Sequence, residues 1–268
     1  MKNILLLVRD DPGLEARLQA ALDLCRAVGG HITCLDVIWC PPLVDGGFQD
    51  SALAVAGVIA DEEARDAAAW QRLEQRLSHE DVSWHRVRAR GEIAAALRDA
   101  CDLADIIVLS RQTDGPRSPD MREIAGAVVV RSRRPTLVVP GDCKRLDLSS
   151  ALVAWDGSPC AAAAVRAAVP LLRHADDVVL FEAGDGSATL PAEEAAAYLS
   201  RHDIHAVITR VPAGPGGAAG ALLRTLATGA FGYVAMGGFG HSRLTEALFG
   251  GVTRTMLKES PVPILLAH

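Results

Sequence analysis

Aromatic side chains make up only 4% of the 268 residues, and lysine is confined to Lys2, Lys144 and Lys258. Half the residues are hydrophobic, so the core is built mostly from Ala, Val and Leu. No long hydrophobic run exists: Ile4–Val8 and Ala151–Ala154 are strand-length and end in charge, which predicts no membrane span. Lys2 is followed by only five apolar residues before Arg9-Asp10-Asp11, too few for a secretory leader. No C-x-x-C occurs among Cys25, Cys34, Cys40, Cys101, Cys143 and Cys160, which excludes a zinc ribbon and predicts a reduced, cytoplasmic protein. Excess basic charge is also missing. The formal net charge is −6, which argues against a general nucleic-acid or anionic-membrane binder.

What the chain does have is a repeat. A shift of 146 lays Leu5–Asp10 on Ala151–Asp156 and Ile32–Leu35 on Val178–Phe181. A shift of 126 lays Gly91 on Gly217 and Pro135–Val139 on Pro261–Leu265. The first half carries the extra residues, around Trp39–Arg90. A period of this length is a duplicated domain rather than a solenoid unit, with domains over 1–142 and 148–268.

Each half reads as short apolar strands alternating with helices. The strands are Ile4–Val8, Ile32–Ile38, Ile106–Leu109 and Thr136–Val139, then Ala151–Ala154, Val178–Ala183, Tyr233–Met236 and Val262–Leu266. Helices are expected over Leu14–Val28 and Ile93–Cys101, then Ala161–Leu172 and Ala218–Leu226, with apolar residues at three- and four-residue spacing. The fold class is α/β: open parallel sheets with helices on both faces. Ligands of such sheets sit at the carboxyl ends of the strands, where Asp10, Arg111, Asp156 and Gly237 fall.

After Tyr233–Met236 the chain reads Gly237-Gly238-Phe239-Gly240-His241-Ser242-Arg243 and, further on, Gly250-Gly251-Val252-Thr253. A helix is expected from near Gly251 to Glu259. Glycines at a strand end let backbone approach a ligand closely. Glycines at a helix start leave free N–H groups in a field that favours anions. Together they suit phosphate, although tight turns alone also use glycines. No Gly-Lys-Ser/Thr and no Gly-x-Gly-x-x-Gly is present, so neither common phosphate loop applies. Gly240-His241-Ser242-Arg243-Leu244 is not a nucleophile elbow, because Leu244 stands where glycine is needed.

Gly237-x2-Gly240-x9-Gly250, with Ala154-Trp155-Asp156-Gly157-Ser158, resembles the nucleotide signature of the universal stress protein family, in its tandem two-domain form. The resemblance spans nearly the whole chain. It implies five parallel strands per domain, pairing of the domains through their last strands, and often ATP, with Mg²⁺ bridging the phosphates. Carried over by position, Asp156 and the backbone near Glu182–Ala183 would lie by base and ribose. Gly237, Gly240, Gly250 and Gly251 would surround ribose and phosphates, with Val252, Thr253 and Arg243 close by. Gly251 departs from the family, whose nucleotide binders usually carry Ser or Thr there; Thr253 is a candidate substitute hydroxyl. In the first half the same shift puts Arg111, Asp114, Ile124 and Ala125 at the glycine positions, which reads as a degenerate copy. Asp10 then reads as a turn former.

The remaining candidates have plainer readings beside the functional ones. Cys160 falls in a helix's first turn, which favours a thiolate, but it also suits a small inert side chain. His202 and His205 are three apart, yet Ile204–Val207 looks like the start of a strand, so no metal is expected. Trp70–Leu77 reads as a helix with a solvated face. The Trp39–Ala60 segment is a candidate lid or dimer contact. The expectation is a regulatory protein that binds an adenine nucleotide in its second domain, with unidentified protein partners and slow ATP hydrolysis at most. The alternatives are an interaction protein without nucleotide and an adenylyl-transferring enzyme.

Overall fold

The computed structural model describes residues 1–38, 64, 66–111, 120–184, 189–240 and 251–268. The apolar runs form strands because both faces of a parallel sheet are covered, so uninterrupted hydrophobic sequence is tolerated. The first half contributes β1 (Asn3–Val8), α1 (Leu14–Val28), β2 (His31–Ile38), β3 (Ser83–Arg90), α2 (Ile93–Ala100), β4 (Ile106–Ser110), α3 (Met121–Ser132) and β5 (Thr136–Val139). The second contributes β6 (Ser150–Trp155), α4 (Pro159–Leu172), β7 (Asp177–Ala183), α5 (Ala192–Ser200), β8 (Ala206–Val211), α6 (Gly217–Leu226), β9 (Tyr233–Gly237), α7 (Gly251–Glu259) and β10 (Ile264–Ala267).

All ten strands form one sheet, in the order β3-β2-β1-β4-β5-β10-β9-β6-β7-β8. It divides into two five-stranded parallel halves. They join where β5 meets β10 antiparallel, with Leu137 opposite Leu265, so the expected pairing through the last strands is observed. Helices flank both faces and bury two clusters. One runs under α1, α4 and α5, the other under α2, α3, α6 and α7.

The repeat register differs by one residue from the ungapped reading. β1 starts at Asn3 and β6 at Ser150, an offset of 147. β4 starts at Ile106 and β9 at Tyr233, an offset of 127. The counterpart of Gly237 is therefore Ser110, not Arg111. Arg111 instead crosses between the halves, and its guanidinium donates to the Ser260 carbonyl just past the end of α7.

Strand β3 was not expected from the sequence. It is one of the two edge strands, with alternating Arg86, Arg88 and Arg90, a pattern that also discourages edge-to-edge association. Helical turns over 66–77 cover it. Trp70, Leu73 and Leu77 are buried, and the Arg86 guanidinium lies 4.0 Å from the Trp70 ring centroid. Arg86 also donates to the buried Asp36 carboxylate, with Nε at 3.0 Å. Asp66 lies beside this pair, 3.4 Å from Arg88 and 3.5 Å from Arg86. Burial, then its hydrogen bond to Asp36 and the charge there, raise the Asp66 carboxyl to about 6.

That shift has a sign. The folded state holds a proton on Asp66 that the unfolded chain has released above its ordinary value of 3.8. Stability contributed here is present below that value and is lost as pH rises towards 6. Other carboxylates act oppositely but at lower pH: Arg122 holds Asp120 down, and Ser149 holds Asp147 down. Burial, and then His85, hold the His31 imidazole below its ordinary value, which acts oppositely in the same window. The slope of thermal midpoint against pH from 4 to 7 is therefore expected to be more negative in the parent than in Asp66→Asn. An equal slope in the variant would remove Asp66 as its cause.

Candidate functional site

Strands β6 and β9 pair only from Ala151–Val153 against Tyr233–Ala235. Beyond that they diverge, because β9 is followed on its other side by β10 while β6 is followed by β7. This is the point where strand order reverses and crevices form in open α/β sheets. A cavity of about 270 Å³ opens there. Its apolar wall includes Ala154, Phe181, Ala183, Leu222 and Met236, and its polar side includes Asp156, Ser158 and the start of α7 at Gly251, Val252 and Thr253.

Of the residues singled out from sequence, Asp156, Ala183, Gly237, Gly240, Gly251, Val252 and Thr253 all line this one cavity. Gly250 and Arg243 lie outside the described residues, as do Asp114 and the Trp39–Ala60 segment. Asp156 forms the turn into α4: its Oδ1 accepts from the Ser158 backbone N–H at 2.9 Å. Ser158 caps α4 by accepting from the Ala161 N–H, with Pro159 in the first turn. Glu182 itself is buried and turned to Arg210, whose Nε donates to it at 2.9 Å, so only Ala183 of that pair reaches the cavity.

Two of the glycines have a packing reason of their own. A Cβ on Gly237 would lie 2.5 Å from the Cys160 carbonyl carbon and 2.6 Å from the Ala161 nitrogen. A Cβ on Gly240 would lie 3.0 Å from the Cys160 sulfur. The end of β9 thus presses on the first turn of α4. Gly237→Ala is expected to cost about 3 kcal/mol, the upper end of overpacking, by chemical denaturation; a loss near zero would contradict this contact. Gly251 is different, because among the described residues a Cβ there meets nothing within 4 Å.

Cys160 is buried against these glycines, and its sulfur lies 3.4 Å from His268 Nδ1, which also meets the Gly238 carbonyl at 3.0 Å. Burial, and then Asp156, push its thiol pKa up, which favours the inert reading over the thiolate one. Phe239 also lines the cavity, with φ of 63°. A bulky residue in this left-handed region costs about 1–3 kcal/mol and is found where surrounding contacts over-determine the backbone. Phe239, Phe181 and Leu222 were not singled out from sequence. In sequence they look like ordinary core residues, and only their strand-end and helix-face positions mark them. His202 packs on Tyr198 at 4.8 Å, and no metal-ligand cluster occurs among the described residues.

The corresponding place in the first half is filled. Arg17 of α1 is fully buried at the carboxyl ends of β1 and β4. Its Nε donates to the Leu7 carbonyl at 2.7 Å and one terminal nitrogen to the Arg9 carbonyl at 2.9 Å. It grips Asp11 with both terminal nitrogens, at 2.7 and 2.8 Å, and reaches the Ser110 hydroxyl at 2.8 Å. Asp11, not Asp10, forms the turn, accepting from the Gly13 N–H at 2.8 Å. Asp10 is exposed and lies 3.5 Å from Arg72. The start of α3 is also occupied: the Asp120 side chain accepts from the Arg122 N–H at 2.9 Å. A carboxylate thus caps the helix whose counterpart, α7, begins at Gly251.

No protein-family model and no curated protein matches the chain. Solved structures do. A universal stress protein from Archaeoglobus fulgidus matches 99% of this chain and 97% of its own, with 17% identity and a TM-score of 0.74. The chain shares the fold of a universal stress protein along its whole length. A Pseudomonas aeruginosa protein provisionally assigned to the universal stress proteins matches with 16% identity and a TM-score of 0.60, covering 100% of this chain and 93% of its own. A functionally unknown protein from the same organism has 16% identity and a TM-score of 0.58, covering 100% and 92%. Among the described residues, no helix is long and apolar enough to cross a membrane.

Proposed function

We propose that the second half binds one adenine nucleotide, ATP with Mg²⁺, and that the chain acts as a regulatory binding protein rather than an efficient enzyme. The observation that carries this reading is the cavity where β6 and β9 diverge, in which an apolar wall faces Asp156, Ser158 and the first residues of α7. The apolar wall from Ala154 to Leu222 suits a purine, and Asp156 stands where a ribose hydroxyl would need an acceptor. The free N–H groups at Gly251 and Val252 suit phosphate oxygens. About 270 Å³ lies just below the roughly 300–1,000 Å³ of typical small-molecule sites, so the cavity suits the nucleoside, with phosphates leaving across α7. Arg243 and Gly250 remain candidates for the phosphate end. No residue is assigned a catalytic role, and any ATP hydrolysis is expected to be slow.

A second reading has its own support. Gly237 and Gly240 are accounted for by Cys160 packing alone, and Gly251 offers no side-chain hydroxyl. An interaction protein without nucleotide would keep the first two glycines for that reason. Calorimetric titration with Mg·ATP separates the two readings: saturable binding supports the first, and absence of binding the second. Cytoplasmic location, unidentified protein partners and homodimer formation are further parts of the proposal.

A further inference from the structure

A second cavity, of about 240 Å³, lies on the outer side of α4 and α5. Trp155 lines both this cavity and the first. Its floor is apolar, formed by Trp155, Val165, Leu190 and Tyr198. Trp155 is pinned there by its Nε1, which donates to the Leu190 carbonyl at 3.0 Å. Leu190 is 38% exposed, a large apolar side chain open to solvent at one end of the groove.

The charges around this floor are ordered. Glu194 and Arg201 lie seven residues apart on one face of α5 and its C-terminal cap, so about 10 Å of helix separates them. Tyr198 lies between them, and Arg166 faces the groove from α4. Among the described residues, neither arginine and not Glu194 has an ion-pair partner. Their neighbours do: Glu193, next in sequence, pairs with Arg210 at 2.7 Å. The groove is therefore lined by one carboxylate and two guanidiniums around an apolar floor, with Glu194 and Arg201 separated along the helix.

We propose that this groove binds a short apolar peptide with both ends free. Three extended residues span about 10 Å, the separation of the charges along α5. The peptide's ammonium would face Glu194, its side chains the Trp155–Tyr198 floor, and its carboxylate Arg166 and Arg201. Guanidinium suits a carboxylate because it offers paired donors in a planar fork. The net positive lining also disfavours a peptide lacking the terminal carboxylate.

The test is calorimetry on the full chain with the tripeptide Ala-Val-Leu, in the absence of nucleotide. The free peptide is expected to bind. Its C-terminal amide, and separately Arg166→Ala and Arg201→Ala, are expected to weaken binding about tenfold, as loss of a charged hydrogen bond does. N-acetylation and Glu194→Gln are expected to weaken it severalfold. Circular dichroism identical to the parent shows that the exposed variants still fold. No binding at millimolar peptide overturns the proposal, as does an amide that binds like the acid. Hexanoate binding as tightly as the peptide would also overturn it, because the site would then read only a carboxylate on an apolar chain. None of these outcomes depends on whether ATP binds in the other cavity.

Discussion

Arg17→Met is expected to cost about 3–5 kcal/mol of folding stability, the loss typical of removing one partner from a buried ion pair. The strands β1 and β4 pair from Ile4–Leu6 against Ile106–Val108 and then diverge, as β6 and β9 do. Divergence leaves strand-end carbonyls without sheet partners, and buried carbonyls must find donors. Arg17 supplies donors to Leu7 and Arg9 and neutralises Asp11, whose side chain is only 8% exposed. Methionine keeps the apolar stem but removes the donors to both carbonyls and the counter-charge of the Asp11 carboxylate, while Ser110 still donates to the Gly13 carbonyl. The check is urea denaturation of the variant and of Arg17→Met with Asp11→Asn. The double variant is expected to recover part of the loss, because it removes the uncompensated charge. A loss below about 1 kcal/mol, the size of a surface pair, would contradict a structural role for Arg17.

Gly251→Asp is expected to weaken nucleotide binding on the order of a hundredfold, because a like charge would face the phosphates at the start of α7. The same substitution is expected to leave the fold intact or stabilise it slightly. Among the described residues nothing lies within 4 Å of the added Cβ, and an acidic residue in a helix's first turn is favoured by about 0.3–1 kcal/mol. Opposite signs on binding and stability make this variant more telling than a change at Gly237 or Gly240, where Cys160 would be displaced whether or not a ligand binds. Gly251→Ser should act the other way and tighten binding about fivefold, by restoring a hydroxyl donor worth about 1 kcal/mol. Equal affinity in the parent, the Asp variant and the Ser variant would detach the start of α7 from any phosphate role.

The asymmetry between the halves follows from these two positions. In the first half a guanidinium fills the crevice and Asp120 caps the next helix. In the second half, among the described residues, a cavity stands at the crevice and no side chain lies within 4 Å of a Cβ on Gly251. Three residues link β6 to α4, whereas five link β1 to α1. The longer turn supplies Asp11 and Gly13, which seat Arg17. A duplicated chain has thus kept one sheet for two purposes: one half closed on its own side chains, the other open to a ligand.

The central strands were legible because each is an apolar run bounded by turns, and Thr136–Val139 agrees with the structure at both ends. The α7 boundaries were legible for a related reason, a glycine pair before an amphipathic stretch. Edge strand β3 was not, because its alternating arginines look like solvent-facing sequence. The one-residue error at β1 and β6 came from that unequal turn; β2 and β7 keep the offset of 146. β1 to β6 is offset by 147, whereas α1 (Leu14) to α4 (Pro159) is offset by 145, and an ungapped shift of 146 splits the difference. Arg17 was invisible for a different reason. An arginine within an amphipathic helix reads as solvated, and only the divergence of β1 and β4 creates the carbonyls that bury it. The cavity's polar residues could be found from the glycine spacing, but Phe181, Leu222 and Met236 are indistinguishable in sequence from core.

The central claim is a single nucleotide site in the second half. It is tested most directly by titrating the full chain with Mg·ATP in a calorimeter, beside Gly251→Asp. The account predicts one nucleotide per chain in the parent and binding on the order of a hundredfold weaker in the variant. Two per chain would contradict the closed first half, and no binding in the parent would contradict the site itself.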